Sequence, residues 1–174
     1  RRCEAPLAVV RRSVRGAGRR IRRAAGGVKM KWVTRSHVHV DRVACPWLIS
    51  RFIDSEAEFL FVPKNQVESI THDQEAIPFD VPGVELGHHG DGCSFDAIMQ
   101  KYELKDPALV RLAKIVNAAD TDRLENDAIA AGLEAVATGY SVRFPDDLEN
   151  LSHQFAVYDA LYAWCRLQTA GSGA

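Results

Sequence analysis

The chain has 174 residues, 47% of them hydrophobic, which suits one compact domain with a full core. Its net charge of −1 hides an asymmetry: residues 1–29 hold ten of the 22 lysines and arginines and only Glu4 among the acids, leaving 12 basic and 22 acidic side chains for the rest. An acidic body is a poor match for a nucleic-acid backbone and suits cations, and no apolar run approaches the roughly 20 residues of a membrane helix.

Residues 1–29 form an arginine-rich stretch without a sustained apolar period, ending just before Met30. Three readings stand: a translated leader ahead of a start at Met30, a transit-type presequence, or a basic arm for anionic partners. Each predicts disorder. One domain is expected over 30–168, with 169–174 a frayed tail. Of the four cysteines, Cys3 lies in the stretch, and Cys45, Cys93 and Cys165 form no CxxC pair. An odd count of that kind points to a reducing compartment, with the cytoplasm as default.

Lys31–Arg35 reads as a strand that opens the body. Ser36–Asp41 alternates with period two, so an extended backbone would put His37, His39 and Asp41 on one face. A helix follows to about Asp54, starting either at Pro46 or at a cap on Asp41. Glu58–Val62, stopped by Pro63, is a buried strand. Asn65–Ala76 predicts a short helix and loop, the two prolines of 77–83 predict extended chain, and Val84–Leu86 a brief strand. Helices are predicted from Cys93 or Ser94 to Tyr102, from the Asp106-Pro107 cap into 118–123, over Ile129–Tyr140, and from Pro145 towards the end. Short strands in the N-terminal half followed by a mainly helical C-terminal half give an α+β class.

The densest chemistry is in Gly83–Asp96, where His88, His89, Cys93 and three acids sit among four glycines. Histidine, cysteine and carboxylate are the side chains that hold transition metals. Adjacent residues of an extended backbone point opposite ways, so one of the two histidines is expected as a ligand. Asp96 is placed to reach back from the next helix, or to serve helix-start electrostatics. Asp120 and Asp122 lie at a helix end, where acids oppose the dipole; a ligand role or a turn role both fit. Asp159, among Tyr158, Leu161 and Tyr162, needs a partner, either a metal or an arginine. Cys45 is a buried thiol or, at a helix N-terminus, a reactive thiolate, and Cys93 shares that logic. No phosphate-binding glycine loop, nucleophile elbow or nucleotide fingerprint is present.

The stretches KWVTR, VDRVACPWLISRFIDSEAEFLFVP, GVELGHHGDGCSFDAI, VNAADTDR, AAGLEA and YDALYAW resemble the C-terminal domain of the bacterial chromate resistance protein B family, over Lys31 to about Arg166. Asp41-Arg42, Trp47, Arg51, His88, Asp96, Asp120 and Asp159 match the family pattern; His37 and His39 do not belong to it. Full-length members carry a further N-terminal region linked with chromate-responsive gene regulation, so the expectation here is a stand-alone form without that regulation.

The resemblance and the residues together imply a cytoplasmic metal-binding domain for chromate resistance and detoxification, as a metal-dependent enzyme or an oxyanion-handling protein. The expected metal ligands are His88, Asp96, Asp120, Asp122 and Asp159, around Mn²⁺, Fe²⁺ or Zn²⁺. Arg42 and Arg51 are expected to bind a small anion such as chromate, or another small-molecule substrate, with Cys45 as the reactive group. The alternative is a thiol redox or chromate-sensing module built on Cys45 or Cys93. A third reading is a sensor module that binds a ligand without turnover. A homodimer is left open, and neither nucleic acid nor membrane is expected as a partner of the body.

Overall fold

The computed structural model describes residues 29–171; the expectations for 1–28 and 172–174 lie outside the described residues. The order is β1 (Lys31–Arg35), α1 (Val40–Phe52), β2 (Glu58–Val62), a 3₁₀ turn (Lys64–Gln66), α2 (Val67–Asp73), β3 (Ile77–Pro78), α3 (Ser94–Lys101), α4 (Pro107–Asp120), a second 3₁₀ turn (Leu124–Asn126), α5 (Ala130–Arg143) and α6 (Asp147–Ala170). The α+β class stands, with a small sheet in the N-terminal half and the longest helices behind it. Among the described residues no helix is long and apolar enough to cross a membrane.

The sheet is parallel, in the order β2-β1-β3. β1 is central and pairs Val33 with Leu60 on one side and with Pro78 on the other. Parallel neighbours need a crossover, and α1 supplies the one from β1 to β2. The chain then passes to the opposite side of β1 for β3, so the strand order reverses between β1 and β3. Crevices at the carboxyl ends of strands on either side of such a reversal are where parallel sheets bind ligands.

α1 is the hub of the core. Its residues from Val40 to Ile49 are all buried except Arg42, because α3, α4, α5 and α6 all pack around it. A helix covered on every side needs no amphipathic stripe, which is why its apolar period is weak. Trp47 is fully buried, and its ring meets Phe52, Tyr158 and Tyr162. Removing about 150–250 Å² of such an aromatic from water contributes on the order of 4–6 kcal/mol. α1 and α6 are thereby pinned together.

The segment between β1 and α1 departs from the expected strand. His37 has φ 66°, His39 is the helix cap, and Asp41 lies in the first turn of α1. The three side chains therefore do not share a face. The cause lies 110 residues away in sequence: the Asp147 carboxylate accepts the His37 and Val38 N–H groups, bending the chain where local alternation predicts extension. Pro46 falls inside α1, which starts one residue ahead of Asp41 with His39 as its cap, so neither expected start is the observed one and Cys45 is not at a helix N-terminus. At the other end α6 runs to Ala170, two residues into the stretch read as a tail.

Candidate metal centre

Four elements deliver the side chains of the centre. Asp41 comes from the first turn of α1 and is 1% exposed. Asp80 follows β3 at the carboxyl edge of the sheet, 3% exposed, in a left-handed conformation (φ 48°) that aspartate tolerates better than most residues. Asp120 ends α4. His88 comes from the glycine-rich loop, just after Gly87, where a Cβ would lie 2.7 Å from the Val81 carbonyl oxygen. Only glycine lets the chain run that close, and the close pass sets the entry of His88.

His88 Nε2 is 3.1 Å from Asp120 Oδ2, 3.2 Å from Asp80 Oδ1 and 3.4 Å from Asp41 Oδ2. His89 points elsewhere, its Nε2 2.8 Å from the Glu85 carbonyl oxygen. Helix termini hold the carboxylates: the Asp41 N–H donates to Asp120 Oδ1 at 3.0 Å, and the Ser94 N–H at the start of α3 donates to Asp41 Oδ2 at 2.6 Å. These are N–H groups that a helix leaves without internal partners, and their dipoles favour a negative neighbour. Asp80 Oδ1 accepts from the Ser94 hydroxyl, and Asp80 Oδ2 accepts from Arg42 Nη1 at 2.9 Å. Asp41 Oδ1 is buried with no hydrogen-bond partner.

The charges are mutually dependent. The Asp41 carboxylate, with Asp120 and Asp80 beside it, raises the His88 imidazole to about 9. Asp120 is closer, but fully buried Asp41 acts through a less polarisable medium. Burial, together with the Asp41 and Asp80 charges, raises Asp120 to about 7. Burial likewise raises Asp41. Three carboxylates thus share one imidazolium, and a single Nε2–H serves one oxygen well.

The residues fit a metal ion. Ligands about 2.1 Å from one ion lie about 3.0 Å apart at a right angle and about 3.4 Å apart at a tetrahedral angle; the contacts of His88 Nε2 fall in that range. Donor atoms of Asp41, His88 and Asp120 all lie within 4.8 Å of one another. Mixed imidazole and carboxylate donors suit Mn²⁺, Fe²⁺ or Zn²⁺. Asp80 Oδ1 stands 3.2 Å from the same Nε2, while Arg42 and Ser94 hold the Asp80 carboxylate in place.

Of the residues expected to hold a metal, His88 and Asp120 come together and the others do not join them. Asp96 closes a capping box on α3: its Oδ2 accepts the Cys93 N–H at 3.0 Å and Asn117 Nδ2 at 2.8 Å. Asp122 is exposed, with φ 58° just past α4, and the Arg123 N–H reaches back to the Ala118 carbonyl. That is the left-handed residue and backward bond by which helices commonly stop. Asp159 takes the arginine option: it accepts from Arg51 Nε and Nη2 at 2.9 and 2.8 Å and from the Trp47 indole at 2.8 Å.

The expected anion and thiol groups are also engaged elsewhere. Arg42 gives Nε and Nη2 to the His37 carbonyl besides its bond to Asp80. Arg42 and Arg51 are nine residues apart on α1, hence roughly 14 Å along its axis and on opposite sides, too far to clamp one small anion. Cys45 and Cys93 are buried, and burial pushes both thiols up, away from the thiolate form. The missed participants are Asp41 as a member of the cluster and Asp80 altogether. An acid just beyond a strand of a parallel sheet is the signal that marks Asp80.

Comparison with known proteins agrees with the motifs. A family model described as ChrB, C-terminal domain, matches residues 32–165. Protein ChrB of Cupriavidus metallidurans is 39% identical over 133 residues, covering 76% of this chain and 40% of the relative. The chain thus aligns with less than half of that relative's length. No solved structure matches. The match over most of the body, with the four-element centre inside it, places the chain in the ChrB family, as its C-terminal domain.

Proposed function

We propose that this domain binds a divalent transition metal through Asp41, His88 and Asp120, with the Asp80 carboxylate adding negative charge beside it, and that the ion handles a small oxyanion in the cytoplasm. The observation that carries the reading is the buried, unpartnered Asp41 Oδ1 beside a cluster of carboxylates. An uncompensated buried carboxylate oxygen is costly, and a cation of charge two satisfies what one proton on His88 cannot. Family membership supports chromate as the anion to test first. The arginine best placed to meet it is Arg35, whose partly exposed guanidinium stands 3.7 Å from Asp80.

The test is metal analysis of protein purified without chelator, then reconstitution with Mn²⁺, Fe²⁺ or Zn²⁺. About one equivalent is expected, falling by two orders of magnitude in affinity for Asp41→Asn and Asp120→Asn, since each removes one ligand charge. Less than about a tenth of an equivalent of any of the three after reconstitution sinks the reading.

A further inference from the structure

We propose that Arg123 is a positioning residue that latches the His88 loop over Asp120 and so sets how long an ion stays at the centre; the role rests on the metal reading above. The loop from Gly87 to Gly92 is closed largely on itself. The His89 N–H donates to the Gly92 carbonyl and the Gly92 N–H to the His89 carbonyl. What ties its tip to the body is the end of α4. Arg123 Nη1 donates to Asp91 Oδ1 at 3.1 Å and Arg123 Nη2 to the Asp91 carbonyl at 2.9 Å. Asn117 Nδ2 reaches the same carbonyl at 2.8 Å.

The arginine is itself held. Its Nε donates to Thr121 Oγ1, which donates to the Asn117 carbonyl. The left-handed turn at Asp122 brings Arg123 back over the helix end. Asp120 is thus three residues from the latch on one rigid terminus, and His88 is three residues from the latched Asp91 on the loop. The guanidinium, with Asn117 beside it, holds both ligands in a common frame. The pair is also easy to break, because the Asp91 side chain is 98% exposed and salt screens such a contact. A covering loop closed by a screened pair opens without disturbing the core.

The experiment measures release of Co²⁺ or Zn²⁺ to an excess of chelator from the full chain, for wild type, Arg123→Gln and Asp91→Asn. Release roughly fivefold faster or more is expected for Arg123→Gln, less for Asp91→Asn, which keeps the carbonyl bonds. High salt should speed release from wild type and leave Arg123→Gln nearly unchanged. The Co²⁺ absorption bands distinguish a moved ligand from a globally loosened fold, as does an unchanged melting temperature. Hydrogen exchange at the His89 and Gly92 amides of chelator-treated protein reads the loop's own bridge apart from metal and should quicken in Arg123→Gln, where the tip loses its guanidinium anchor. Bound metal with an unchanged release rate overturns the latch but not the metal centre. A wild-type protein that takes up no ion overturns both.

Discussion

His88 Nε2 and Asp120 Oδ2 stand 3.1 Å apart, one on a loop and one on the last residue of a helix whose own carbonyls repel an acid. The contact exists because α1 points its N-terminus at Asp120 and lends it the Asp41 N–H. With His88 raised to about 9 by these acids, its Nε2 proton at neutral pH would face the three carboxylates. A metal ion would compete with that proton for the same place.

Metal affinity should therefore depend steeply on pH. His88 must lose its proton to ligate, and the neighbouring carboxylates raise it to about 9. Between about pH 7 and 9 affinity is expected to climb roughly tenfold per unit, for one proton released per ion. Below about pH 7 Asp120 is also protonated, and the slope should steepen towards hundredfold per unit. Competition against a chelator of known proton affinity reads these slopes. A flat profile from pH 6 to 9 would remove His88 and Asp120 as ligands.

Without metal, the same groups make stability fall as pH rises. Asp120 holds its proton more tightly in the fold, at about 7, than its ordinary 3.8. Its charge is then a cost that grows from about pH 4 and is complete above 7. His88 is raised from 6.5 to about 9, so its contribution is whole below 6.5 and lost as pH passes through 9. Both act in one direction. Urea midpoints of chelator-treated protein should decline from pH 5 to 9, with Asp120→Asn flattening the lower part and His88→Gln the upper. A wild-type midpoint that rises across this range contradicts the arrangement.

The thiols should be silent in the native state. Cys45 is 0% and Cys93 1% exposed, and burial holds both as neutral thiols. A colourless alkylating reagent at pH 8 should label less than about a tenth of either in the time that fully labels unfolded protein. Rapid labelling of Cys45 or Cys93 in folded protein would revive the redox reading.

What could be read ahead of the structure follows a physical divide. β1, β2 and the α4 start are legible because short runs of strand-forming apolar residues, Pro63 and the Asp106-Pro107 cap are local signals. So is the pairing of His88 with Asp120, through residue chemistry and family pattern. Asp80 was hidden because its role depends on where β3 lies in a parallel sheet, which no local period encodes. In the sequence Asp122 fits a ligand or a turn, because acids at helix ends oppose the dipole; its left-handed φ gives it the backbone task. The bend at His37 depends on Asp147, and local alternation cannot carry a contact of that range.

Asp159 separates stability from metal binding. Its two oxygens hold the Arg51 fork and the Trp47 indole, and Trp47 lies six residues beyond Asp41, about 9 Å further along α1. Asp159→Ala strands a buried indole N–H and frees a guanidinium that is 44% exposed on its side chain. Because solvent screens the ion pair, most of the loss comes from the indole, about 1–2 kcal/mol in all. For a body of this size that corresponds to a melting temperature lower by roughly 3–6 °C. Metal content and affinity should stay at the wild-type level. A variant that keeps its melting temperature and loses its metal would instead put Asp159 among the ligands, and require α6 to approach the centre.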